Sequence, residues 1–187
     1  MESSKCHVLP AWLVRRAACI RIIAMDVDGV LTDGRIIHMG DDEARCFHAH
    51  DGMGLRLAAA AGLRIAWITG RGSRSVQRRA ADLGVDELVE HCAIKSDALR
   101  RVCDAHGCQL GEVAYIGDDV NDMPALCIAG LSFAPADAVP WVRLNVDHIT
   151  PAAGGYGAVR QVCEGIISAQ CGMEAAVEAY LRLGAAN

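Results

Sequence analysis

Four short, almost unbroken apolar runs, at 20–25, 63–68, 113–116 and 131–134, alternate along this chain with helix-length segments. Those segments, at 54–61, 73–83, 96–106 and 121–129, carry apolar residues at i, i+3 and i+4. A strand that is apolar throughout needs cover on both faces, and a helix with one apolar stripe can give that cover from one side. The alternation predicts an α/β fold: a doubly wound, Rossmann-like parallel sheet whose strands are joined through helices. Ligands of such sheets collect beyond the carboxyl ends of the strands.

The chemically capable residues fall at those ends. Asp26-Val27-Asp28-Gly29-Val30-Leu31 follows the first run, Thr69-Gly70-Arg71 the second, and Gly117-Asp118-Asp119-Val120-Asn121-Asp122 the third. Two carboxylates two positions apart at the end of a buried strand are costly unless a cation or a reaction needs them. Asp26 suits a nucleophile that attacks phosphorus, and Asp28 suits the acid that protonates the leaving oxygen and then activates water. A divalent cation is needed, because a carboxylate and a phosphate must meet. Thr69 and the Gly70 N–H can hold a phosphoryl oxygen, and Lys95, opening a helix, can neutralise the transferring group. Taken singly, Thr-Gly is also a capped turn and Lys95 a solvated side chain. The cluster Asp118, Asp119 and Asp122 is the stronger signal for a cation, and it lacks the terminal Glu of an EF-hand loop.

Composition narrows the partners. The 187 residues are 52% hydrophobic and 22% charged, with a net charge of −5, which describes a globular chain long enough for a large core. No Lys/Arg block suggests nucleic acid as a partner, and no apolar stretch is long enough for a bilayer. Nine cysteines, an odd number without any Cys-x-x-Cys, read as reduced thiols, mostly buried, in a cytoplasmic protein. Residues 1–19 lack a signal-peptide pattern and are expected to form an extension with a short helix after Pro10.

Residues 35–39 and 44–48 flank Gly40-Asp41-Asp42 and predict a β-hairpin projecting from the sheet. The gaps before Thr69 and Lys95 are too short for an additional folded lid, so the site should stand open unless another subunit covers it. Gly154-Gly155-Tyr156-Gly157 predicts a mobile loop leading into a helix that carries Arg160. His48 and His50 would share one strand face, but no third metal ligand is apparent.

In order and spacing, Asp26-Val27-Asp28-Gly29-Val30-Leu31-Thr32, Ile68-Thr69-Gly70-Arg71, Lys95 and Gly117-Asp118-Asp119-Val120-Asn121-Asp122 resemble the haloacid dehalogenase superfamily. The resemblance implies Mg²⁺ held by Asp26, the backbone carbonyl of Asp28 and Asp118. Asp119 and Asp122 would lie outside those ligands or orient Lys95. Asp at position 28 is the superfamily's mark of phosphatases and mutases.

Phe47, Asp51-Gly52-Met53-Gly54 and Gly154-Gly155-Tyr156-Gly157-Ala158-Val159-Arg160 narrow the likeness to the capless branch acting on keto-deoxy sugar acid phosphates. That branch implies a phosphatase domain over 20–170, with 171–187 as a tail. It also implies a homotetramer whose hairpins and glycine-rich tails help close neighbouring sites. Substrate contacts would come from Gly70, Arg71, Arg79 and Arg160, although His50 departs from the branch's usual residue there. Arg71, where an acidic residue would indicate a nine-carbon acid, favours 3-deoxy-D-manno-octulosonate 8-phosphate, an intermediate of the lipopolysaccharide core sugar. The alternatives are another keto-deoxy sugar acid phosphate or a noncatalytic oligomerisation module. A phosphoacceptor signalling domain would order its acidic residues differently.

Overall fold

The first apolar run becomes β1 (Ile22–Met25), a strand buried on both faces at the centre of a parallel sheet. The structure, a computed structural model, describes residues 9–40 and 42–185. The first eight residues of the expected extension, Cys6 among them, the last two residues of the expected tail, and Asp41 of the expected hairpin turn lie outside the described residues.

Before β1 comes α1 (Ala11–Ala17), and after it the antiparallel strands β2 (Ile37–Met39) and β3 (Asp42–Ala44). Next are α2 (Ala49–Ala60), β4 (Arg64–Ile68), α3 (Arg74–Leu83), β5 (Glu87–Val89) and α4 (Lys95–His106). The chain continues through β6 (Val113–Ile116), α5 (Met123–Leu126), β7 (Leu131–Ala134), α6 (Pro140–Arg143) and β8 (His148–Ile149). Helices α7 (Ala158–Gln170) and α8 (Met173–Ala185) end it. Six strands pair in the order β5-β4-β1-β6-β7-β8, and β2 and β3 form the projecting hairpin. The chain builds outwards from β1 in both directions, so the crevice at such a reversal opens beside the carboxyl end of β1.

Strand alternation divides the core into two layers. Ile23, Met25, Ile65, Trp67, Ala114, Ile116, Leu131 and Phe133 face a layer covered by α1, α2, α3, α7 and α8. Ile22, Ala24, Ala66, Ile68, Val113 and Tyr115 face the layer covered by α4, α5 and α6. The doubly wound reading holds. No helix among the described residues is long and apolar enough to cross a membrane.

Several local expectations change. The expected helix at 121–129 is a 3₁₀ turn, Val120–Asp122, followed by the single-turn α5, because Asp119 and Asp122 cap the turn reciprocally and Pro124 opens the helix. Helix α2 starts at Ala49, earlier than expected, with the His48 ring nitrogen accepting from His50 N. The second hairpin arm is Asp42–Ala44 rather than 44–48, since Arg45 turns inward and Phe47 stacks on Trp67 with ring centroids 6.1 Å apart. Strands β5 and β8, three and two residues long and only half-buried, were too short for periodicity to reveal. The thiols are not mostly buried: Cys103 and Cys163 are, whereas Cys19, Cys46, Cys127 and Cys171 are exposed.

The helix after Pro10 forms as α1, and its Leu13 and Ala17 are wholly buried in the first core layer. The glycine-rich turn is seated firmly on its own chain. Gly155 N donates to Val30 O at 2.9 Å, and a side chain at Gly154 or Gly155 would strike the backbone of Gly29, Thr32 or Asp33.

Candidate active site

Asp26 follows β1 directly, its N–H donating to Ile116 O at 3.0 Å. It stands two residues after Ala24, whose side chain faces the α4 layer, and Lys95 is the first residue of α4. Their charged ends meet, with Lys95 Nζ 2.5 Å from Asp26 Oδ2 and donating to Asp122 Oδ1 at 2.7 Å. Asp122 is fully enclosed. Tyr115 Oη donates to its Oδ1 at 2.9 Å, and Asp118 N and Asp119 N donate to its Oδ2 at 3.0 and 3.4 Å. That enclosure requires Gly117, where any β-carbon would collide with Asp122. Asp122 thus orients Lys95, while exposed Asp119 accepts from Val120 N at 2.6 Å and forms no ion pair with Lys95.

Asp28 is held from the hairpin side. Arg45, its side chain wholly inaccessible, donates from Nε to Asp28 Oδ1 at 2.6 Å and from Nη2 to Asp28 Oδ2 at 3.2 Å. The same guanidinium donates to Glu43 Oε2 at 2.9 Å and Ser73 Oγ at 2.7 Å. Sequence reasoning missed both Arg45 and Tyr115. The only signal for Arg45 was a charge in an otherwise strand-like run, and Tyr115 read as one more apolar residue of a buried strand.

Thr69 ends the strand run buried, and its Oγ1 accepts from Arg71 N at 3.2 Å, which leaves its own O–H free to donate. A cavity of about 600 Å³ opens over these groups, lined by Asp26, Asp28, Thr69, Gly70, Arg71 and Asp118 together with Gly34, Asp119, Val120 and Asn121. Arg79 and Arg160, expected near substrate, do not line it. Arg79 packs against Gly52 with its guanidinium 6.0 Å from the Phe47 ring centre. Arg160 lies against Gly54 and donates to Glu164 Oε1 at 2.5 Å. No trio of metal-ligating side chains among the described residues includes His48 or His50.

The electrostatics are those of carboxylates crowded out of water. Burial and the neighbouring Asp122 push Asp26 up to about 6, against the opposing pull of Lys95. Burial, Asp122 and Asp26 push Asp118 up to about 8. Burial alone would lower Lys95, but Asp122 and Asp26 outweigh it and its pKa is raised. Asp26, Asp118 and Asp122 each offer an oxygen, all within 4.8 Å of one another. An all-oxygen carboxylate set suits a hard divalent cation such as Mg²⁺. Gly29, at φ +85°, leaves the Asp118 carboxylate the space that any side chain would fill. With Asp122 committed to Lys95 and two backbone N–H groups, Asp26 and Asp118 are the carboxylates with capacity left for a cation.

Residues 85–161 match the haloacid dehalogenase-like hydrolase family. Over 166 residues the chain is 40% identical to the 3-deoxy-D-manno-octulosonate 8-phosphate phosphatase of Yersinia pestis, covering 88% of each chain. It is 39% identical to that of Escherichia coli strain K12, covering 84% of this chain and 85% of the other. The fold is similar to a crystal structure of the Moraxella catarrhalis phosphatase of that name in complex with magnesium, phosphate and the sugar acid. The TM-score is 0.86 at 38% identity, over 89% of this chain and 97% of the other.

Proposed function

The chain belongs to the haloacid dehalogenase-like hydrolases, within the family of 3-deoxy-D-manno-octulosonate 8-phosphate phosphatases, and we infer that it hydrolyses that phosphate monoester to the free sugar acid and phosphate. The observation that carries this reading is the Asp26–Lys95–Asp122 arrangement at the end of β1, with Asp118 beside it and Asp28 and Thr69 facing the same cavity.

In this reading the Asp26 carboxylate attacks phosphorus and becomes the aspartyl-phosphate. The Thr69 hydroxyl and the Gly70 N–H hold phosphoryl oxygens, and Lys95 keeps its partner carboxylate ionised despite burial. Asp28 gives a proton to the leaving alkoxide, then takes one from the water that opens the acyl phosphate. Asp26, Asp118 and the Asp28 backbone carbonyl would hold Mg²⁺, which when bound offsets the repulsion between the carboxylate and the phosphate. Arg71, exposed at the cavity rim, is the in-chain candidate for the sugar acid's carboxylate.

Assembly belongs to the same proposal. Ile37 and Met39 stand exposed on the hairpin, 48% and 64% accessible, beside an uncapped site, and a homotetramer would cover both. The catalytic unit is taken as 20–170, with α1 buttressing it, and the setting as the cytoplasm of a cell that makes the lipopolysaccharide core sugar. The deciding experiment is phosphate release from a panel of keto-deoxy acid and sugar phosphates, with Mg²⁺ and with a chelator. Chelator-sensitive preference for the eight-carbon acid phosphate is expected. No release from any substrate would refute catalysis.

A further inference from the structure

We propose that Arg45 is the positioning residue for the acid–base carboxylate Asp28, fixing the direction in which it meets the leaving group. The proposal rests on the phosphatase reading above and extends it to a residue outside the superfamily motifs.

Every hydrogen bond to the Asp28 side chain among the described residues comes from Arg45, one to each carboxylate oxygen. Two parallel bonds from a planar guanidinium fix both the position and the plane of a carboxylate, which one bond cannot do. The fork is itself anchored from behind. Nη1 donates to Ser73 Oγ, the N-cap of α3, and Nη2 also donates to Glu43 Oε2 on β3. The Ser73 N–H in turn donates to Glu90 Oε1 at 3.2 Å. With its side chain fully inaccessible, Arg45 has no room to adopt another pose.

Asp28 lines the catalytic cavity, whereas Glu43 and Ser73 line another cavity of about 640 Å³. Through its bonds to all three residues the guanidinium ties the loop after β1 to the hairpin and to α3. Without it Asp28 would lose its aim, and with that its countercharge. Proton transfer to an alkoxide would then become rare while nucleophilic attack by Asp26 continued.

The test compares kcat/KM for 3-deoxy-D-manno-octulosonate 8-phosphate with that for 4-nitrophenyl phosphate. For a covalent route this quantity covers steps up to departure of the leaving group, and nitrophenolate departs without a proton. The ratio of the two values does not depend on how much of a preparation is folded, so partial misfolding of Arg45→Ala cannot mimic the effect. Arg45→Ala is expected to lose about 100-fold on the sugar phosphate and under about fivefold on the aryl phosphate, with Arg45→Lys recovering part of the loss. In an Asp28→Asn background the Arg45→Ala change should add almost nothing. An unchanged ratio, or additive losses in the double variant, would overturn the proposal. Wild-type protein that releases phosphate from neither substrate would overturn the phosphatase reading and this proposal with it.

Discussion

Lys95 Nζ and Asp122 Oδ1 lie 2.7 Å apart with both side chains shut off from solvent, at 2% and 0% accessibility. The ammonium sits between that carboxylate and Asp26, and Asp122 gains three further donors from Tyr115 and the loop backbone. A buried charge without a partner is far more expensive than an exposed one, so this pair supports the fold as well as the proposed catalysis. Asp122→Ala would strand Lys95 beside a single carboxylate and leave the Tyr115 hydroxyl and two N–H groups unpaired. We expect a stability loss of about 3–5 kcal/mol by urea denaturation. A loss within about 1 kcal/mol would show that water or relaxation replaces the pair.

Asp26→Asn should behave in the opposite way. The amide oxygen can still accept from Val27 N or Lys95, and removing the charge relieves the repulsion from Asp122 that helps raise this carboxyl. Activity should fall by at least about 10³-fold, while the melting temperature stays level or rises. Retention of wild-type turnover in a clean preparation would remove Asp26 as the nucleophile.

Gly29→Ala tests the loop that accommodates Asp118. A β-carbon there collides with the Asp118 carboxylate, and φ of +85° is unfavourable for any side chain. The substitution should raise the Mg²⁺ concentration for half-maximal activity by about tenfold or more, in line with losses seen when a ligand's support is disturbed. Unchanged Mg²⁺ dependence at reduced activity would point to backbone strain alone.

These residues differ in how visible they were before folding. Periodicity placed Asp26, Thr69 and Asp118 at the ends of apolar strands and Lys95 at the start of a helix, but Thr69 and Lys95 stood out only once the motifs were taken together in the family's order. Arg45 could not be placed in this way, because its inward turn depends on the chain leaving the hairpin at Ala44, and alternation carried the expected arm on to His48. Tyr115 counts as apolar in any strand pattern, and its hydroxyl matters only because loop 117–122 folds back over it. Arg79 and Arg160 were expected at the substrate from the family resemblance alone. Within this chain they pack beside Gly52 and Gly54, where α3 and α7 meet α2. Such helix–helix approaches involve residues remote in sequence, and no local pattern encodes them.

Proton and metal should compete at Asp118, which makes metal-dependent stability a function of pH. Without Mg²⁺ the folded chain keeps the Asp118 proton up to about pH 8 and the Asp26 proton up to about pH 6, whereas unfolded carboxyls lose theirs near 3.8. Over that window the folded state binds more protons than the unfolded one, so its stability falls as pH rises. The Asp26 part is lost by about pH 6, and Asp118 dominates from there to about pH 8. The lowered Asp147 has released its proton in both states before the interval from pH 6 to pH 8, and the raised Lys95 titrates above it, so neither reverses the sign there. Bound Mg²⁺ replaces the proton as the countercharge and needs the carboxylates ionised, so its stabilisation should grow over the same interval. At about a hundredfold excess over its Kd, mass action gives about 2.7 kcal/mol, or about 5–10 °C in melting temperature for a chain of this size. Thermal melts at pH 6 and pH 8, each with chelator and with a fixed total Mg²⁺, should show the chelated protein melting lower at pH 8 and the Mg²⁺ shift larger there. A shift equal at both values would mean that Asp118 is already ionised without the metal, and that its burial is offset by something other than a proton.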